Sequence, residues 1–221
     1  MNVGTLSMVA IGAASAAAVY LVVGNLWHRV LSPLPAPDPA TFPRAGDRFG
    51  SAAEGLEQAI DRIEGGMVFA TVVLAPGAAG PPMHTHDGFS ETYTVQEGTL
   101  SVQLVDRVVQ VSPGEQYTVP AGVAHRPFNA TQDRVVLGGG DSPIFPVSFA
   151  AALVQLYRLM DTRGTHPLTM MLQLSVNDPI ADTHLAAMPR AMEPVLRILL
   201  APAARLLGYR NYYPEWALHR A

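Results

Sequence analysis

Two residue types are missing from this chain, and charge is scarce. Cysteine and lysine are both absent, and charged residues make up only 14% of the 221 positions. Without cysteine the chain forms no disulfide, offers no thiolate to a metal and holds no cysteine nucleophile. Charged residues make up about a quarter of an average soluble domain. We therefore expect part of this chain to avoid water by a route other than soluble folding.

The few charges that are present leave the chain slightly acidic. Its formal net charge is -4 at pH 7, and nucleic-acid binding generally needs a basic field. Nucleic acid is therefore not an expected partner. The length allows one ordinary domain with its own core, together with appendages.

An uncharged apolar run occupies Val3 to Val23. A helix needs about 20 apolar residues to cross the hydrocarbon layer, and Trp27 after the run suits a bilayer interface. We therefore expect residues 1–30 to form a single-pass membrane anchor. A cleaved signal peptide, which would want basic residues before a shorter core, and a buried soluble helix are the alternatives. Arg29 follows the span, so the positive-inside rule places the rest of the chain on the cytoplasmic side.

The pattern changes twice after the apolar run. Prolines throughout residues 31–46 predict a stiff linker, and Ser51–Ile63 is expected to form a short helix at the start of a domain spanning residues 47–145. From Met67 to about Gly140, short apolar runs separated by Gly and Pro predict a mainly β fold, a sandwich or barrel without crossover helices. The predicted strands are Val68–Ala75, Phe89–Gln96, Thr99–Asp106, Val108–Ser112, Tyr117–Val119 and Arg134–Leu137.

Four side chains in this domain predict a metal site. In Phe89–Gln96 the odd positions are apolar except for Glu91, and a core-facing carboxylate needs a counter-charge or must stay protonated. His84 and His86 are two apart, so on a strand both rings share one face, and His125 follows a tight turn that could return it to the same pocket. Three imidazoles and one carboxylate suit one divalent ion of Fe, Mn, Co, Ni, Cu or Zn better than Ca or Mg. The alternative is a set of ordinary polar residues of the core or surface.

The spacing of these residues resembles the two motifs of the cupin superfamily. The first motif is matched by His84-Thr85-His86, Glu91 and Gly98, although Gly77 lies one residue farther upstream than usual. The second is matched by Gly114, Pro120-Ala121-Gly122, His125 and Asn129. The resemblance covers roughly residues 65 to 142. It implies a single-domain cupin, a double-stranded β-helix or jelly-roll barrel, in which His84, His86, Glu91 and His125 correspond to the metal ligands.

Cupins share a fold and differ widely in chemistry. We rank first a quercetin-dioxygenase-like enzyme, a metal-dependent oxidoreductase for a small enol or hydroxy-ketone substrate, with Glu91 as ligand or as catalytic general base. An apolar pocket could be walled by Phe89, Tyr93, Val102, Leu104 and Phe128, although core packing is the ordinary role of most of them. The alternatives are a non-catalytic module that binds or senses a small ligand, and a metal-dependent isomerase or decarboxylase.

Residues 146–221 are expected to form a helical extension. Phe149 to Met160 predicts one helix, and Asp182 to about Tyr209 predicts a second, divided by prolines. The second segment has leucines on one arc, arginines on the opposite arc and aromatic residues after it. This pattern is typical of a helix in the membrane interface. The alternative is that the helix packs on the β domain or on a second subunit of a homodimer.

Overall fold

The computed structural model describes residues 3–177 and 182–219. The helices are α1 (Val3–Leu26), α2 (Val147–Arg163), α3 (Pro167–Val176) and α4 (Glu193–Leu206). The strands are β1 (Arg48–Ser51), β2 (Leu56–Glu64), β3 (Met67–Leu74), β4 (His84–His86), β5 (Glu91–Glu97), β6 (Leu100–Leu104), β7 (Val108–Val111), β8 (Gln116–Val119), β9 (His125–Phe128), β10 (Val135–Leu137), β11 (Phe145–Pro146) and β12 (Thr183–Leu185). Single helical turns lie at Trp27–Leu31 (π) and at Pro39–Thr41, Arg190–Met192 and Pro214–Trp216 (3-10).

The chain divides into two compact units. The helical unit consists of Met1–Ala36, His166–Asn177 and Arg190–Tyr212, and it contains α1, α3 and α4. The sheet unit consists of Pro37–Thr165, Asp178–Pro189 and Tyr213–Ala221, and it contains α2 and the strands.

The strands of the sheet unit form two antiparallel sheets. The larger has the order β1-β2-β3-β10-β5-β8, with β11 also paired to β3, and the smaller has the order β12-β4-β9-β6-β7. The predicted mainly β architecture is confirmed. Over the ranges that the structure describes, however, the sheets stay separate and form no closed barrel, because each one ends in edge strands. The barrel expected from the sequence is therefore corrected to a two-sheet jelly roll.

The segment Ser51–Ile63, predicted to be helical, is mostly strand. Leu56, Gln58 and Ile60 are buried and alternate with exposed Glu57 and Asp61, which is the period of a strand. A hairpin at Gly65-Gly66, where both φ angles are positive, joins β2 to β3. The apolar spacing in this segment fits a helix equally well, and the pairing of β2 with β3 decides between the two.

The C-terminal extension contains helices, as expected, but not at all of the predicted positions. The helix predicted at Phe149 to Met160 is confirmed as α2. The segment predicted to be helical from Asp182 begins instead with the strand β12, which pairs with β4, and becomes helical only at Glu193, next to Pro194 in the first turn of α4. Helix α3, which begins at Pro167, was not predicted.

Within the helical unit, α4 packs against α1 and α3. One helical stretch, Ala10–Leu31, is long and apolar enough to cross a membrane, and a signal sequence would meet the same criteria.

Helix α2 is tied to the larger sheet by a polar cluster near its C-terminus. The Asp161 carboxylate accepts hydrogen bonds from the Ser51 hydroxyl (2.8 Å) and from the backbone N–H groups of Ala53 (3.1 Å) and Ala52 (3.4 Å). Burial by itself would raise the pKa of Asp161. These hydrogen bonds lower it further than burial raises it, so the pKa lies below its ordinary value. The carboxylate therefore caps the turn between β1 and β2.

Replacing Asp161 by asparagine is expected to lower the free energy of unfolding by about 0.5–1 kcal/mol near neutral pH, a modest loss because the group is exposed. Because the pKa is lower in the folded state, this stability is complete above the unfolded-state pKa and is lost as pH falls through the folded-state value. Urea unfolding of both proteins at neutral and at acidic pH should therefore show a difference in the free energy of unfolding that is smaller at acidic pH. Asp141→Asn, a change at an exposed loop aspartate, is the control, and an equal loss of stability at both pH values would contradict the capping role.

Candidate metal centre

The four predicted ligand residues come together from three strands. His84 and His86 lie on β4, and His125 on β9 is directly paired with His84. Glu91 begins β5 in the other sheet. All four side chains are buried, and one potential ligand atom from each lies within 4.8 Å of the others. The two sheets thus meet at these residues, as the alternation of β5 and the two-residue spacing of β4 predicted.

A tight turn returns His125 to the pocket. Gly122 has a positive φ of 78°, a conformation that glycine adopts without strain. Its N–H donates to the carbonyl oxygen of His86 at 2.6 Å, and the N–H of Ala121 donates to the Ser90 hydroxyl at 3.3 Å. The turn before β9 is therefore fastened to the end of β4, which brings the third imidazole beside the first two.

Each imidazole has its Nδ1 atom held by an oxygen. Nδ1 of His84 lies 2.8 Å from the carbonyl oxygen of Pro82, and Nδ1 of His125 lies 2.9 Å from that of Val123. Nδ1 of His86 lies 3.1 Å from the Thr183 hydroxyl. A carbonyl oxygen only accepts, so in His84 and His125 the Nδ1 atom donates the hydrogen, and the neutral form of either ring has its lone pair on Nε2 for a ligand.

The Nε2 atom of His86 gives the clearest indication that the cluster binds a ligand. It is buried and has no hydrogen-bond partner among the described residues, and Glu91 Oε2 lies 3.6 Å away. A buried nitrogen without a partner is costly. Three imidazole nitrogens and one carboxylate oxygen fit a divalent transition metal ion, and such an ion would satisfy this atom.

Neighbouring side chains compensate the negative charge of Glu91. Its Oε2 accepts a hydrogen bond from the Tyr93 hydroxyl at 2.8 Å and lies 2.9 Å from Nε2 of His125. Burial alone would raise the pKa of Glu91, but the interactions with His125 and His86 lower it below its ordinary value. The carboxylate is therefore ionised. Of the two possibilities for a core-facing carboxylate, protonation or compensation by neighbouring groups, the structure supports compensation.

The other ionisable groups respond to the same surroundings. Burial lowers the pKa of His84 to about 4, so this imidazole is neutral near pH 7. Burial also acts to lower the pKa of His125, but the hydrogen bond with Glu91 raises it above its ordinary value. Burial and the charge of Glu91 both raise the pKa of Tyr93, so its hydroxyl keeps its proton and can donate to the carboxylate.

Aromatic rings flank the cluster on one side. Phe89 stacks on His86 with ring centres 4.3 Å apart, and Phe149 of α2 meets the same imidazole edge-on at 4.8 Å. Leu104 is paired with His125 in the smaller sheet. Phe128, expected to wall the pocket, instead shares its face of β9 with Arg126, whose guanidinium lies 4.8 Å from its ring centre, because successive residues of a strand point to opposite faces.

Three contributions to the site were not found in the sequence. Thr183 is 97 residues from His86, and no local pattern connects them. Phe149 was assigned only to a helix. The hydroxyl of Tyr93 could have been found, since Tyr93 follows Glu91 by two residues and must share its face.

A second group of potential ligands lies at the β4–β12 end of the smaller sheet. Asp87, Asp182 and His184 offer atoms within 4.8 Å of one another, and they are exposed or half-buried. His184 lies on β12 with its Nε2 atom 3.7 Å from the Asp87 carboxylate. Exposed groups of this kind commonly occur without an ion.

Residues 70–146 match the family model described as Cupin domain, which is about a third of the chain. No curated protein matches the sequence. The family match supports the cupin superfamily for this domain, and the two antiparallel sheets are its cupin fold.

Solved structures that resemble this chain cover only part of it. A cupin-2 domain containing protein from Shewanella frigidimarina is 24% identical over 36% of this chain and 76% of its own, with a TM-score of 0.32. TT1209 from Thermus thermophilus is 21% identical over 47% of this chain and 91% of its own, with a TM-score of 0.36. A sugar phosphate isomerase of the cupin superfamily from Silicibacter pomeroyi is 23% identical over 47% of this chain and 72% of its own, with a TM-score of 0.35.

If the four residues bind an ion, the full chain purified without chelator or polyhistidine tag should carry about one first-row transition metal ion per molecule. His86→Ala and Glu91→Ala should each lose it, because either change removes a buried ligand. Mass spectrometric metal analysis measures the content. His166→Ala, which removes an exposed imidazole at the start of α3, should retain the metal. Equal metal content in all four proteins would show that the ion binds elsewhere.

Thr183→Val tests the hydrogen bond that fixes the ring of His86. The change keeps the shape of the side chain but removes the oxygen that faces Nδ1, so metal affinity should fall by about 10-fold to 100-fold. Competition with a chelator of known affinity measures the change. Thr118→Val is the matched control, because Thr118 is exposed and its hydroxyl bonds that of Thr92 rather than a candidate ligand. Unchanged affinity in Thr183→Val would mean that the strand alone orients His86.

Proposed function

We propose that the cupin domain binds one divalent transition metal ion through His84, His86, Glu91 and His125, and that it is a dioxygenase for a small enol or hydroxy-ketone substrate. The observation that carries the proposal is the buried Nε2 atom of His86, which lacks a hydrogen-bond partner among the described residues while three further potential ligand atoms converge beside it.

The charge balance of the cluster favours an anionic substrate oxygen. His84 is neutral near pH 7 and Glu91 is ionised, so one negative charge faces a divalent ion and a net positive charge remains. His84, His86, Glu91 and His125 would hold the ion. When bound, the ion would supply a Lewis acid for the substrate oxygen and a place to hold dioxygen near it.

Glu91 is the residue best placed to move a proton. It is buried, ionised and held by the Tyr93 hydroxyl at 2.8 Å. Because its pKa is lowered it is a weak base, so transfer of the enol proton to it and back relies on a bound ion to lower the pKa of the enol as well. The overall reaction balances without another reductant: R–C(OH)=CH–R′ and dioxygen give R–COOH and O=CH–R′. The carbon–carbon double bond and the O–O bond break, both oxygen atoms enter the products, and the enol carbons are oxidised as dioxygen is reduced.

The apolar surroundings suit a flat organic molecule. Phe89 and Phe149 lie against His86 with ring centres 5.2 Å from one another, and Leu104 lies across from His125. Such side chains keep water away from a reactive intermediate and offer rings against which a planar substrate can stack.

We also propose that the N-terminal helix anchors the protein in a membrane. The stretch Ala10–Leu31 has the length and composition of a span, and Trp27 suits the interface at its end. Arg29 favours a cytoplasmic location for the sheet unit. Extraction of membranes with alkaline carbonate, which strips peripheral proteins, should leave the chain in the pellet.

The dioxygenase is tested by oxygen uptake of the metal-loaded protein with a panel of flavonols, diketones and catechols. Uptake should match substrate loss one to one. Glu91→Gln should lower kcat per bound metal ion by about 100-fold or more, since proton transfer by a positioned carboxylate is worth that much. Glu97→Gln is the matched control, because Glu97 is exposed and paired with Arg134 away from the cluster.

Two other functions are distinguished by the same assay. Turnover that continues without dioxygen would replace the dioxygenase by a metal-dependent isomerase or decarboxylase. Ligand-induced thermal stabilisation without turnover of any bound compound would replace it by a binding or sensing module.

A further inference from the structure

Helix α4 turns its large apolar side chains outward. The exposed fractions are 40% for Val195, 47% for Leu199, 75% for Leu206 and 61% for Leu207. The residues of α4 that are buried are Ala201, Pro202 and Ala204. A surface helix of a water-soluble protein does the reverse and buries its apolar stripe. Small residues between helices and large apolar residues outside are the arrangement found in membranes.

The contact between α1 and α4 is close and is made by small residues. A Cβ atom added to Gly24 would lie 2.9 Å from Cβ of Pro202, which is nearer than side-chain atoms approach. Gly24 on α1 is therefore required for the two backbones to come this near.

Polar side chains of α1 satisfy the backbone of α4 where Pro202 interrupts it. Pro202 has no N–H, so the carbonyl oxygen of Ile198 loses its helical donor, and Asn25 Nδ2 donates to that oxygen at 3.0 Å. The Tyr20 hydroxyl donates to the carbonyl oxygen of Leu199 at 2.7 Å and accepts from the N–H of Ala203 at 3.2 Å. These are the two atoms that an uninterrupted helix joins directly.

Hydrogen bonds to otherwise unpaired backbone groups matter most where water is absent. In a hydrocarbon layer each unpaired backbone group costs several kcal/mol, and a proline in a membrane helix is tolerated when a neighbouring helix supplies the missing partners. In water the carbonyl of Ile198 would simply be hydrated. The two side chains of α1 thus provide what a lipid environment demands.

Exposed apolar residues are concentrated in the helical unit. Across the part of the chain whose side chains are described, the only large hydrophobic residues that are exposed elsewhere are Val105, Val108 and Val123. The helical unit exposes members of every helix, among them Val22 on α1 at 69% and Leu168 on α3 at 55%. The outward face of α4 therefore continues the apolar surface of the helix that has the length of a membrane span.

Polar anchors lie at one end of this surface. The Arg205 guanidinium donates to the carbonyl oxygen of Ser32 at 3.0 Å and to its hydroxyl at 3.1 Å, and it lies 5.9 Å from the ring centre of Trp27. Arginine and tryptophan at the end of an apolar helix are typical of the interface between acyl chains and water.

From these observations we infer that α4 inserts into the lipid bilayer beside α1, with Val195, Leu199 and Leu206 facing acyl chains. The inference rests on the proposed membrane anchoring and extends it from one helix to a helix pair. The occupant of the apolar face is lipid hydrocarbon rather than a second copy or a soluble protein.

The absence of cysteine makes this directly testable, because a single introduced cysteine can be labelled without background. Three full-length variants are suitable, Leu206→Cys on α4, Val22→Cys on α1 and Val105→Cys in the sheet unit, where exposure is 75%, 69% and 78%. Each is labelled with an environment-sensitive fluorophore and reconstituted in phosphatidylcholine vesicles, with or without nitroxide-labelled acyl chains.

The nitroxide should quench fluorescence by about half at positions inside the hydrocarbon layer, here Leu206→Cys and Val22→Cys, and leave Val105→Cys unchanged. Quenching of Val22→Cys alone would overturn the insertion of α4 and leave the anchor intact. Quenching of neither position would overturn the anchor and, with it, the inference. Equal quenching of Val105→Cys would also overturn the inference. So would a disulfide between two Leu206→Cys chains together with a lack of quenching at Leu206→Cys, because the apolar face of α4 would then be covered by a second copy of the chain.

Discussion

The contact between the Glu91 carboxylate and the His125 imidazole, 2.9 Å apart, joins the two sheets through a buried charge. A buried carboxylate without compensation costs several kcal/mol. The surrounding packing meets that cost by several means: the Tyr93 hydroxyl faces Glu91, the Gly122 turn returns His125, and β4 presents two further imidazoles. The carboxylate is thus compensated by residues of three strands from two sheets.

The cluster is finished by parts of the chain outside residues 70–146. Thr183 on β12 faces Nδ1 of His86, and Phe149 on α2 packs against the same ring. Strand β12 also covers an edge of the smaller sheet by pairing with β4, which leaves fewer unpaired backbone groups there. The C-terminal extension is thus part of the structure around the candidate ligands.

The two compact units place their apolar residues differently. The sheet unit encloses valines such as Val68, Val102 and Val135, each fully buried, together with the buried polar cluster. The helical unit keeps small residues such as Gly24 and Ala201 between helices and exposes leucines.

The sequence by itself determined the β architecture and the four candidate ligands, because the alternation around Glu91 and the spacing of His84 and His86 are local properties of a strand. The cupin fold was implied by the resemblance of residues 65 to 142 to the two cupin motifs, and not by the strand pattern. Local pattern failed at Ser51–Ile63, where the apolar spacing suits helix and strand alike, and at Thr183, where a segment expected to be helical pairs with β4. It also failed to place Phe128 on the face of β9 opposite to that of His125. Only the tertiary structure decided these points. Pairing of a strand depends on which sheet edge, formed by residues distant in sequence, is available to it, and the local sequence does not encode this.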